Sequence, residues 1–369
     1  LWGTGLGPVS GNEGAAPLPG DQSVDIEVFA GGRRATVSYK GRSGCCAGID
    51  QIAFIVPDGV EGCYVPLVVR AGGVVSNFVS MAVAASGSTC SDPFSYSQED
   101  LQKLQTSGSF RSGGVTLSRS ISKFTFQTTT IESRTDSGSG SFIRWDPATL
   151  LANVGQTPTL GSCTLNTYRG TPNIPTFTLL DAGQVLNLSG PKGNKQLTRQ
   201  FGVYSATLGG GTPIPGGPAV QPDYLDPGEY TVDNGSGGAD VGGFRARVTV
   251  PVALVWTNQD SITTVARAQD LRITWTGGDG RDFVIMTGSS STGTDPRNLT
   301  SSSFTCIERV SAGGFTIPSY VVGSLPASEQ GFLSVGTFSS AENNRFTAPG
   351  LDQGSFNYNF NSSKSVRYQ

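Results

Sequence analysis

Asp223, Asp226, Glu229, Asp233 and Asp240 form the richest acidic stretch of a chain that contains no histidine. Two carboxylates held several ångströms apart could serve glycoside hydrolysis as acid and base or nucleophile. The same residues stand in D-x-x-G and D-N-G sequences, where Asp and Asn hydrogen-bond their own backbone and build turns. Only Tyr224 and Tyr230 are local aromatic neighbours, whereas a carbohydrate enzyme surrounds its acids with Trp and Tyr. The turn reading prevails, and no residue is assigned as catalytic.

Asp233, Asn234 and Asp240, within DNGSGGAD, are a candidate Ca²⁺ set, because carboxylate and carbonyl oxygens suit a hard cation. The spacing lacks the Glu that closes an EF-hand loop, and the competing reading is a glycine-rich hairpin loop. Asp279 and Asp282 are a weaker pair that flanks a turn. SGPKGNK, residues 189–195, lacks the spacing of a phosphate loop and no helical pattern follows it. The absence of histidine removes Ser-His-Asp and Cys-His catalysis, H-E-x-x-H zinc chemistry and His-ligated haem. Carboxylate-pair chemistry, Ser-Lys chemistry and oxygen-ligated metals survive. Trp145, Trp256 and Trp275 sit in strand patterns and read as core before they read as sugar platforms.

Six cysteines form an even set without C-x-x-C spacing, which points to disulfides and an oxidising compartment. If residues 64–70 and 75–84 form a hairpin, Cys63 and the segment after Ala84 lie at one end of a sheet, favouring Cys63–Cys90. Cys45 and Cys46 pair with each other or with another segment, and one of them could instead capture Cys63 or Cys90. By elimination, Cys163–Cys306 bridges later parts of the chain.

The elements that must carry these residues are strands. Of 369 residues, 51 are glycine, about twice average usage, and only 14% are charged, a balance suited to many short strands and tight turns. A net charge of −3 without basic clusters gives no nucleic-acid footprint. No apolar run approaches the ~18 residues of a membrane helix. The chain opens at Leu1 without Met or a signal peptide, which is read as export followed by processing. Residues 51–84 hold three apolar runs separated by PDGVEG and AGG, read as an antiparallel meander packed on a second sheet. Short helices are expected over 97–104 and from Asp146 to about Asn153, and residues 209–217 are expected to be a long surface loop. Leu180-Asp181-Ala182-Gly183, Leu225-Asp226-Pro227-Gly228 and Leu351-Asp352-Gln353-Gly354 read as turns that deliver the chain into strands.

The motifs LWGTGLGP, CCAGIDQI, FIVPDGVEGCYVPLVV, GGVVSNFVSMAVA and TCSDP occur in order over residues 1–92. This combination resembles the C-terminal-type IPT/TIG-like modules of secreted acidobacterial proteins. The resemblance implies an extracellular immunoglobulin-like module and names no reaction. TWTGGDGRDFVIMTGSSS and FTCIERVSAGGFTIPSYV are more loosely similar to the other immunoglobulin-like parts of such surface proteins, over about 250–369. The expected architecture is all-β: tandem sandwiches over 1–92, 93–250 and 251–369, with few, very short helices. The expected role is that of a non-catalytic, secreted structural protein, a cell-surface or filament subunit assembling through β-strand edges. The first strand of the leading sandwich reads as missing or cut short, with residues 355–360 and 365–369 as the donor strand for a neighbour. The alternative is a carbohydrate-binding or adhesion module with surface glycans as partners, followed by a polysaccharide-active enzyme. No cofactor is expected beyond the candidate Ca²⁺.

Overall fold

The computed structural model describes residues 1–9, 12, 22–91, 102–103, 106, 108–126, 129–146, 157–169, 176–213, 219–293, 300–339 and 344–369. Strands predominate and helix is scarce, as the composition implied. The helix expected over 97–104 falls outside the described residues except Gln102 and Lys103, which are helical. The one expected from Asp146 falls outside them beyond Asp146 itself.

Seven strands build the first sandwich: β1 (Trp2–Gly3), β2 (Ile26–Ala30), β3 (Arg33–Arg42), β4 (Asp50–Ile55), β5 (Gly62–Ala71), β6 (Val74–Val75) and β7 (Val79–Val83). The pairing path is β1-β4-β3-β2-β5-β6, with β7 also on β5. β3 makes the corner: its first residues pair with β2, and Thr36 to Arg42 pair with β4 across a bulge. The faces close on Ile26, Val28, Ala30, Ala35, Ile52 and Leu67. β4 therefore does not pair with β5, and the expected meander is corrected. PDGVEG carries the chain from the β1-β4-β3 side to the β2-β5 side, because the apolar faces of both runs are buried only if they oppose each other.

The remaining strands in chain order are β8 (Phe110–Phe126), β9 (Thr129–Trp145), β10 (Ser162–Arg169), β11 (Phe177–Leu179), β12 (Val185–Gly190), β13 (Gly193–Gln200), β14 (Val203–Gly211), β15 (Gly228–Asp233) and β16 (Arg245–Val250). They continue as β17 (Val255–Trp256), β18 (Thr264–Val265), β19 (Leu271–Thr276), β20 (Phe283–Thr292), β21 (Thr300–Arg309) and β22 (Gly314–Ile317). After α1 (Ser319–Val322) come β23 (Ser328–Phe338), β24 (Arg345–Phe346) and β25 (Gln353–Tyr368). One long sheet follows the path β10-β21-β20-β23-β25-β8-β9-β14-β13-β12-β15-β16, and β17-β19-β22 form a small separate sheet.

β25 lies inside the long sheet. It runs parallel to β8 from Gln353 opposite Ser112 to Lys364 opposite Lys123, and its other edge pairs with β23. Phe356, Tyr358 and Phe360 are buried and alternate with Asn357 and Asn359, so one face is committed to the core. The expected donor strand is thus corrected: residues 355–360 pair with β8 throughout, Ser355 and Phe360 also pair with Arg345 and Thr337, and residues 366–368 lie between β23 and β18 of their own chain. The sheet also runs through the expected boundary at 250/251 without a break, and one hydrophobic cluster spans both sides of it.

That cluster includes Leu117, Phe142, Leu186, Leu197, Tyr230 and Phe356, and each fully buried Leu or Phe contributes about 1.5–3 kcal/mol. β16 folds back to touch β24 and β25, and the rings of Phe244 and Phe346 stack 4.4 Å apart. Gly138 and Gly140 of β9 make this closure possible, since a Cβ there would lie 3.1 Å from Leu197 and 3.0 Å from Leu186. Gly209 to Gly211, expected in a surface loop, instead finish β14 and pair with Asp136, Thr135 and Arg134 beyond a bulge. Among the described residues no helix is long and apolar enough to cross a membrane.

Candidate functional site

The five carboxylates of the acidic stretch are each committed to a different partner. Asp223 lies 3.1 Å from Arg134, Asp226 lies 3.0 Å from Lys192 and Glu229 lies 3.6 Å from Arg247. Asp233 accepts hydrogen bonds from the Asn187 amide group and the Gly235 N–H, and Asp240 accepts one from the Asp181 N–H. Tyr224 and Tyr230 are buried, with ring centroids 5.9 Å apart, and burial pushes the Tyr230 hydroxyl up to about 12. Both are core residues.

Nor does the structure gather the Ca²⁺ candidates into a ligand set. The Asn234 side chain donates to the Ala182 and Gly242 carbonyls and accepts from the Phe244 N–H, which spends it on the loop. Among the described residues no cluster of three or more His, Cys, Asp or Glu side chains is placed to hold a metal. Asp279 pairs with Arg281, while Asp282 is pushed up to about 6, chiefly by burial. Trp256 and Trp275 are buried, and Trp145 donates to Ser112 and leans on Phe177. The cysteines pair as Cys45–Cys46, Cys63–Cys90 and Cys163–Cys306.

A separate recess involves none of these residues. It is a cleft of about 640 Å³ between the first sandwich and the long sheet. β5 supplies Arg70, the segment after β6 supplies Ser76 and Asn77, and β10 supplies Leu165 and Thr167. Arg267 follows β18, and Ser319, Tyr320 and Ser324 come from α1 and the turn after it. The Tyr320 ring, part of the lining, stacks on Phe29 at 4.2 Å. Burial pushes the Tyr320 hydroxyl up to about 12, so it stays a neutral donor.

The two arginines differ. Arg70 is neutralised by Glu27, and its guanidinium lies 5.7 Å from the Phe29 ring centroid. Arg267 donates from Nη2 to the Gly323 carbonyl at 2.9 Å, and its backbone N–H donates to the Gln369 carbonyl. Its Nε is buried without a hydrogen-bond partner. Arg267 has no carboxylate partner among the described residues. The cleft thus holds one uncompensated positive charge among neutral hydroxyl and amide groups. It can bind and orient a polar ligand, and its lining residues include no carboxylate to act as acid or base.

Sequence reasoning passed over Arg70, Arg267 and Tyr320, which are brought together only by the tertiary fold. No family model matches the chain, and no curated protein matches it.

Proposed function

We propose that the chain is a non-catalytic, extracellular structural protein, a cell-surface or filament subunit that associates with further copies of itself through strand edges. The observation that carries this reading is Phe201. Gln200 pairs with Val203, so Phe201 and Gly202 form the two-residue turn between β13 and β14. Both have positive φ, 51° and 84°, which is the pattern of a turn normally built from Asn-Gly. A bulky residue is disfavoured there, yet the Phe201 side chain is 99% exposed.

Gly202 sits against Leu179, which places this tip beside β11. β11 pairs with β9 on one side only among the described residues, and Phe177 and Val203 are exposed nearby. An open strand edge beside an exposed aromatic is a template for backbone pairing with a second copy. The disulfides support an oxidising, extracellular setting.

Phe201→Asn tests the reading, because Asn tolerates the left-handed backbone while the knob is removed. Sedimentation velocity is expected to show oligomers for the native protein and monomers for the variant, with unchanged circular dichroism. A native protein that stays monomeric, or a variant that assembles equally, overturns it. A second reading, carbohydrate binding, is favoured by the cleft around Arg267.

A further inference from the structure

We propose that the cleft between the first sandwich and the long sheet binds an acidic saccharide, with Arg267 as the anchor for its carboxylate. This inference rests on the carbohydrate-binding reading and is independent of self-association.

Arg267 spends one Nη2 hydrogen bond on a carbonyl and its Nε is buried, which leaves the outer Nη edge of the guanidinium to meet an anion. A planar carboxylate fits that edge, and Arg70 competes less for it because it is already paired with Glu27, which it shares with Arg34. The rest of the lining favours a sugar. Ser76, Asn77, Thr167, Ser319 and Ser324 offer neutral donors and acceptors for hydroxyl groups, while Val74, Val75 and Leu165 offer apolar surface for C–H faces. The volume of about 640 Å³ is in the range that holds a small ligand with most of its surface covered. A peptide fits less well: β6, the strand bordering the cleft, spans only Val74–Val75, and the Ser76 N–H already donates to the Val69 carbonyl. An extended backbone would find no edge to extend.

The test is isothermal titration calorimetry at low salt with trigalacturonate, trimannuronate and a hyaluronan tetrasaccharide. Methyl-esterified trigalacturonate and maltotriose serve as uncharged controls. At least one acidic oligosaccharide is expected to bind. Arg267→Gln should weaken it about tenfold or more, whereas Arg247→Gln, on the distant β16, should not. Asn77→Ala, at an exposed turn residue, provides a second probe of the cleft should Arg267→Gln fold poorly, and it too should weaken binding. If maltotriose binds as well as the acidic sugars, the acidic class is wrong while carbohydrate binding stands. If no saccharide binds the native protein, both fail. Acidic binding untouched by both cleft variants would place the site elsewhere and overturn the proposal.

Discussion

Arg119 and Asp136 face each other across the β8–β9 hairpin, joined by two hydrogen bonds of 2.7 Å from Nε and Nη2 to the two carboxylate oxygens. Asp136 is 0% exposed, and its Oδ2 also accepts the N–H groups of Tyr224 and Leu225 at 2.7 and 2.8 Å. One carboxylate therefore ties the segment entering the acidic stretch to the centre of the sheet. Burial works to raise its pKa, but the Arg119 bond and the two N–H donors together hold it below the ordinary carboxylate value.

Asp136→Ala leaves a buried guanidinium and two N–H groups unmatched, and is expected to destabilise the fold by about 3–5 kcal/mol. Arg119→Met combined with Asp136→Leu should cost less than Asp136→Ala, since the two N–H groups still lose their acceptor but no buried guanidinium is stranded. Urea denaturation of both variants checks this, and equal losses would count against it. Because the folded pKa is depressed, the contribution of Asp136 is present above the unfolded value near 3.8 and is lost as pH falls through the lower folded value.

Asp282 gives the opposite slope. Its carboxyl is raised from 3.8 to about 6, mainly by burial, so the folded state holds the proton more tightly than the unfolded chain. Its contribution is complete below pH 3.8 and disappears as pH rises through about 6. Asp282→Asn is expected to raise stability at pH 7 by at most about 3 kcal/mol and to flatten the melting temperature between these two values. An unchanged pH profile would show that Asp282 does not set it.

Cys163 and Cys306 are directly opposite on β10 and β21 and lie 143 positions apart, whereas Cys45 and Cys46 are adjacent in the chain. Loop-closure entropy therefore predicts a loss of roughly 5 kcal/mol for the double replacement Cys163→Ala and Cys306→Ala. Replacing Cys45 and Cys46, both exposed, should change stability by about 0.5 kcal/mol or less. Guanidinium midpoints for the two double variants should differ accordingly.

Asn234 is buried and makes three hydrogen bonds within its loop. Asn234→Ala should destabilise by about 2–4 kcal/mol, because carbonyls and an N–H lose their partner in a dry site. Adding Ca²⁺ to the native protein should leave its melting temperature unchanged. A calcium-dependent rise would restore the metal reading of Asp233, Asn234 and Asp240.

Alternation made β25 legible as a strand: residues 355–360 read apolar at every second position. Its place in the sheet was not legible, because alternation reports a buried face and says nothing of which neighbours fill the two edges. β9 was only partly read. Its SGSGS stretch carries few apolar side chains, and its glycines receive Leu186 and Leu197 from the opposite layer. β13 was missed for a similar reason: most of Gly193–Gln200 is exposed, and only Leu197 is buried. Each LDxG sequence does lead into a strand, with Leu180 and Leu225 buried and Asp181 accepting the Gly183 N–H. The cleft left no local signal. Arg70, Arg267 and Tyr320 are unremarkable in their own neighbourhoods and acquire meaning only when two sheets meet.

The parallel register between β8 and β25 also bears on how quickly the chain can reach its native state. Gln353 must find Ser112, 241 positions earlier, before the sheet has a complete middle. During synthesis the β8–β9 hairpin emerges long before the strand that covers its flank, leaving a seventeen-residue edge unpaired for that interval. Such distant pairing slows folding and leaves a nascent chain open to capture by other strands. Lys123 stands on that waiting edge, a charge of the kind that discourages premature pairing until β25 arrives.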